Sequence, residues 1–173
     1  GCMILMQMTL GQHLQLTLFG TSHGPLVGAY LQGVPKGIPI DRNEIQKAMD
    51  KRKPGGKFAS KRKEPDNVEL LSGIFNEITN GEKIEISIKN KDTRSSDYSF
   101  IPNHPRPGHQ DMVMLKRTNG EADLRGGGTS SARLTAPIVA AAAIIDPILE
   151  KLGIIMNAHV SAIGNIEARP INQ

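Results

Sequence analysis

Three segments of this chain alternate apolar and polar residues, and that alternation limits the fold more than any other feature. "HLQLTLFG" sets Leu14, Leu16 and Leu18 on one side. "LVGAYLQG" follows after the short connection from Thr21 to Pro25, and "KIEISIKN" sets Ile84, Ile86 and Ile88 on one side. Side chains alternate across a strand, so each segment predicts a strand with one apolar face that another layer must cover. "NVELLSGIF" predicts a further strand, joined to "KIEISIKN" around the turn "NEITNGE".

Two segments supply helices for that second layer. In "DRNEIQKAMDKR", Asp41 is a candidate N-cap, Glu44 follows three residues on, and Ile45, Ala48 and Met49 share one face. "SSARLTAPIVAAAAIIDPILEKLG" predicts a long alanine-rich helix with Ser130 or Ser131 as its N-cap and Gly153 as its stop. Pro137 should kink it unless the helix begins near that residue. Beyond it, "IIMNAHVSAIG" returns to strand alternation. The polar loop of residues 90–111 ends in "RPGHQD", which sits between stretches that read as strands. Length and pattern together predict an α/β chain of 173 residues, one domain or a domain and a piece of another.

Composition excludes several functions. Aromatic residues make up 3% with no Trp, which leaves little for stacking nucleic-acid bases. A net charge of +4 suits an anionic ligand. The single Cys2 permits no internal disulfide, no Cys/His spacing fits a metal, and a reducing cytoplasm is expected. The start carries no basic segment before its apolar residues, unlike a signal peptide. The longest apolar run is interrupted by Asp146 and Pro147, so no membrane span is expected.

Four stretches carry candidate chemistry. "RGGGTSSAR" lets the backbone approach a ligand, opens a helix whose N–H groups favour an anion, and is flanked by Arg125 and Arg133. It is neither a Walker loop nor a dinucleotide fingerprint. "KRKPGGKFASKRK" holds seven basic residues and no acidic one, a solvated loop or a lid that brings Arg52 and Lys57 over a charged ligand. His23 in "GTSHGP" and His109 in "RPGHQD" each stand beside glycine, where a ring could face a ligand and move a proton near neutral pH. "NKDTRSSDY" reads as a salt-bridged turn. Asp111 is assigned no role.

Taken in order, "FGTSHGP", "GVPKGIPI", "DKRKPGG", "KRKEPDNVELLSGIF", "IKNKDTRSSDY", "RPGHQD" and "DLRGGGTSSAR" resemble the chorismate synthase family, over about residues 11 to 165. The resemblance implies a β-α-β sandwich, a homotetramer at full length, and a 1,4-elimination of phosphate from 5-enolpyruvylshikimate 3-phosphate to give chorismate. It implies reduced FMN as cofactor, with NADPH a candidate reductant. By the same resemblance His23 protonates the leaving phosphate and His109 serves the reduced flavin. Arg52, Lys57, Arg106, Ser131 and Arg133 match substrate contacts, and Thr129, Ser130 and Ser131 match cofactor contacts. Thr129 stands where many relatives have arginine, and Gln110 where a small residue is usual. Family members are about twice as long, and their C-terminal half carries most flavin contacts and the aspartate that takes the C6 proton. The resemblance therefore implies an N-terminal half, inactive alone; a non-catalytic module that binds an anion or flavin is the alternative.

Overall fold

The computed structural model describes residues 8–52, 66–90 and 103–169. A five-stranded sheet runs in the order β1 (Met8–Leu10), β2 (Gln15–Gly20), β3 (Leu26–Gln32), β7 (Ile84–Lys89), β4 (Val68–Leu70), every pair antiparallel. The register between β3 and β7 sets Val27 opposite Ile88, Ala29 opposite Ile86 and Leu31 opposite Ile84. All six are buried. Because the side-chain period is two, this register puts one unbroken apolar strip on a single face.

The helices α1 (Arg42–Asp50) and α3 (Thr135–Lys151) pack on that strip and on each other. Ile45 and Met49 come from α1; Ala136, Ala140, Ala141 and Ile144 come from α3. The alanines let α3 lie close to the strands, and each large aliphatic side chain buried here contributes about 1.5–3 kcal/mol. Asp41 caps α1 as expected, accepting from the N–H groups of Asn43 and Glu44. The Glu44 carboxylate accepts from Lys47 instead of returning to the cap, so the reciprocal capping box does not form.

Several expectations need correction. The expected strand "NVELLSGIF" divides: Val68–Leu70 is β4, and Ile74–Phe75 (β5) pairs instead with Ile78–Thr79 (β6) from the expected turn in a small hairpin. Asn76 and Glu77 turn it with positive φ angles, a conformation that alternation does not reveal. "DMVMLKR" is a helix, α2 (Asp111–Arg117), with Asp111 and Met114 buried. Seven residues are too few for their apolar spacing to tell helix from strand. Residues 154–161 join no strand; beyond them Ala162–Ile163 (β8) and Ile166–Glu167 (β9) form a hairpin of two-residue strands. Strand alternation is not enough without a neighbour to complete the ladder.

The long helix resolves its own proline question. It starts at Thr135, so Pro137 sits in the first turn, where its missing N–H costs no hydrogen bond. Ser131 caps a short helical turn, Ala132–Leu134, that leads into α3. Pro147 lies inside α3 without ending it. At Gly153 (φ 72) the chain turns out, with Gly153 N–H on the Glu150 carbonyl and Ile154 N–H on the Leu149 carbonyl. By length and hydropathy alone Arg125–Lys151 could cross a membrane, but α3 lays one face on the sheet and three glycines break the segment at its start.

Candidate active site

Beyond the end of β2 and the start of β3, the glycine turn of residues 125–130 meets two loops that are remote from each other in sequence. The backbone at Gly126, Gly127 and Gly128 takes φ values of 59, 94 and 55. At Gly126 a side chain is also excluded by space: a Cβ there would stand 2.2 Å from Cε1 of His23. At Gly127 a Cβ would stand 3.9 Å from Cε1 and Nε2 of His109. The turn thus carries one histidine against each of two successive glycines.

His23 sits in the loop between β2 and β3. Its Nδ1 lies 3.2 Å from the Ser22 hydroxyl, which is buried and donates to the Arg125 carbonyl at 3.0 Å. Asn90, just after β7, donates to the carbonyls of Thr21 and Gly24 and so ties that loop to the sheet. Arg125 pairs with Asp123 at 2.8 Å, which holds the Asp123 carboxyl below its ordinary range and raises the guanidinium.

His109 is held differently. Its Nδ1 lies 2.6 Å from the carboxylate of Asp111, the first residue of α2. Arg106 grips the same carboxylate from its own N–H, Nε and Nη2, at 2.9, 2.8 and 2.8 Å. Arg106 also donates to the Leu124 carbonyl at 3.0 Å, where the glycine turn begins. These bonds hold the Asp111 carboxyl well below the usual carboxylate range, against the opposing effect of its burial.

A third group joins α3 to the sheet. Asp66 accepts from both Arg52, at 2.7 Å, and Arg133. Arg133 is buried and donates in addition to the Asn90 side chain at 2.9 Å and the Lys89 carbonyl at 3.3 Å. Arg52 donates to the Thr135 hydroxyl, and burial pushes its guanidinium down from the ordinary value while Asp66 opposes the shift.

Of the residues singled out from sequence, His23, Arg106, His109, Thr129, Ser130, Ser131 and Arg133 all lie in or against the glycine turn and the segment leading into α3. Ser130 donates to Gln110 at 2.7 Å, and Ser131 accepts from the Arg133 N–H. Arg52 reaches Arg133 through Asp66. Lys57, Asp92, Arg94 and Asp97 fall outside the described residues. Sequence reasoning missed Ser22, Asp66, Asn90 and Asp111. Asp111 carried one available signal: it stands two residues after His109 and five after Arg106. Among the described residues no group of three His, Cys, Asp or Glu could hold a metal.

The family model for chorismate synthase matches residues 14–173. The chain belongs to the chorismate synthase family. Curated chorismate synthases from Aeropyrum pernix and Bordetella avium are 44% and 46% identical to it over 161 residues each. They cover 93% and 92% of this chain, which in turn spans 42% and 46% of theirs. A chorismate synthase crystal structure superposes with a TM-score of 0.62 at 29% identity, over 90% of this chain and 39% of the other. The chain thus spans less than half the length of these relatives. Its sheet and helix layers form part of the family's architecture, in agreement with the expected α/β class.

Proposed function

We propose that this chain supplies the proton-handling portion of a chorismate synthase site: the protein eliminates phosphate from 5-enolpyruvylshikimate 3-phosphate in a 1,4 sense and yields chorismate. The observation that carries this reading is the convergence of His23 and His109 on adjacent glycines of one turn. The family's activity, carried by the collinear motifs, supports it.

The substrate bears two carboxylates and a phosphate, so it needs several cations in a water-poor pocket. Arg52, Arg106 and Arg133 answer that need, with Lys57 from the basic loop. Breaking the carbon–oxygen bond to phosphate places charge on the leaving oxygen. A protonated His23 neutralises it, general acid catalysis worth about 10²–10⁴ in rate. The residues also fit the phosphate end of FMN: the hydroxyls of Thr129, Ser130 and Ser131 follow the glycine turn. Reduced FMN, when bound, supplies an electron-rich ring beside an electron-poor reacting carbon. His109 keeps a proton at the flavin's edge, and NADPH is the proposed source of reduction. A homotetramer in a reducing cytoplasm completes the proposal.

The test is chorismate formation, followed by absorbance, from the substrate and reduced FMN without oxygen. A protein that contains this chain and continues to the relatives' length should be active. The 173 residues alone should turn over nothing. No product from the longer protein overturns the reading and favours the second one, a module that binds an anion or flavin without catalysis.

A further inference from the structure

We infer that Asp111 is a positioning residue that fixes His109 as its Nδ1–H tautomer and leaves Nε2 as the edge through which that ring takes up and returns a proton. The inference deepens the functional reading of His109 and rests on it only for its meaning; the tautomer itself exists with or without turnover.

What each group can donate decides where the proton lies. A guanidinium has no acceptor, so every bond from Arg106 requires Asp111 to accept. Arg106 fills Oδ2 with its N–H and Nε and reaches Oδ1 with Nη2. The carboxyl is 1% exposed, and this grip favours its ionised form. An ionised carboxylate accepts and never donates. The 2.6 Å bond between Nδ1 and Oδ1 therefore carries its proton on the imidazole. A neutral imidazole has one N–H, so Nε2 is then bare. A free histidine side chain favours the opposite tautomer, and holding the other one needs a fixed acceptor at Nδ1, here the Asp111 carboxylate.

Geometry gives that choice a purpose. The ring keeps 38% of its surface, and its Nε2 edge faces Gly127, where a Cβ would stand 3.9 Å from Nε2. Arg106 also bonds the Leu124 carbonyl, so the carboxylate that orients the ring is tied to the turn the ring faces. The same logic of an acceptor behind a histidine operates in acyl-transfer triads, where an amide in place of the carboxylate leaves the ring in the wrong tautomer.

The experiment is a long-range proton–nitrogen correlation spectrum of the histidine rings in the 15N-labelled chain. It is recorded about two pH units above the ordinary imidazole value of ~6.5, with His109 assigned by loss of its signals in His109→Gln. In the unsubstituted chain Nδ1 should have the nitrogen shift of a protonated site and Nε2 that of a bare one. In Asp111→Asn the amide oxygen stays with Arg106 and the NH₂ faces the ring, so the populations should invert toward Nε2–H. Two results overturn the inference: an Nε2–H ring in the unsubstituted chain, or an Nδ1–H ring that persists in Asp111→Asn with the β3 and β7 amide signals unmoved. Should Asp111→Asn fail to fold, the tautomer of the unsubstituted chain alone decides. A longer protein that forms no chorismate yet shows the Nδ1–H ring loses the functional reading and keeps this one.

Discussion

His23 and His109 reach the same glycine turn with unlike support. Behind His23 stands the Ser22 hydroxyl at 3.2 Å, a neutral group that can rotate, donate and accept. Behind His109 stands the Asp111 carboxylate at 2.6 Å, buried, clamped by Arg106 and able only to accept. The difference suits the two tasks proposed for them. A ring that gives its proton to a departing phosphate must be charged and then neutral within one turnover, and a neutral hydroxyl tolerates both states. A ring that takes up and returns a proton beside a flavin through Nε2 gains from a fixed anion that sets its tautomer.

The largest expected effect tests where the two arms meet. Gly126→Ala puts a methyl 2.2 Å from His23 and forces alanine to a φ of 59. Turnover of the longer protein should fall about as far as on loss of the acid itself, ~10²–10⁴. Gly127→Ala meets His109 only at 3.9 Å and should cost distinctly less. Equal losses in the two variants, measured as kcat, would break the comparison.

Next is the support itself. Asp111→Ala removes the anion and leaves Arg106 without its carboxylate. Chemical denaturation should show a loss of about 3 kcal/mol, the low end for a buried pair missing one partner, because Arg106 keeps 25% of its side chain exposed. A loss under about 1 kcal/mol would mean that the network is no stronger than an exposed pair.

These supports also show what the sequence could and could not disclose. Alternating residues announced β2, β3 and β7, and Asp41 announced α1, because strand faces and helix caps are local properties. The hairpin of β5 and β6 was hidden because β5 read as the end of one strand and β6 as part of a turn. Helix α2 was hidden by its shortness, and residues 154–161 showed the strand pattern without a partner. The histidines stood out only through the collinear motifs. Asp66 and Asn90 gave no signal, because their shared partner Arg133 lies 67 and 43 residues away along the chain and only the fold brings them together.

A smaller effect concerns acid. Asp111 has its folded-state carboxyl below the ordinary 3.8, so its contribution to stability is present above that value and drains away as pH falls below it. Unfolding midpoints measured from neutrality downward should show an acid limb steepening below about pH 4. Asp111→Asn should flatten that limb; an unchanged slope would assign the acid sensitivity to other carboxylates. The smallest effect belongs to the other arm. Ser22→Ala loses the hydroxyl bonds to His23 and the Arg125 carbonyl, a cost of about 0.5–1.5 kcal/mol. A loss in denaturation experiments as large as that of Asp111→Ala would remove the distinction between the two supports.

The central claim is that two loops remote in sequence form one proton-handling site. The most direct measurement is anaerobic chorismate formation by the longer protein carrying His23→Ala or His109→Ala. Each variant should keep its fold by circular dichroism and lose about 10²–10⁴ in kcat. Wild-type turnover in either variant would contradict the account and return that loop to an ordinary polar turn.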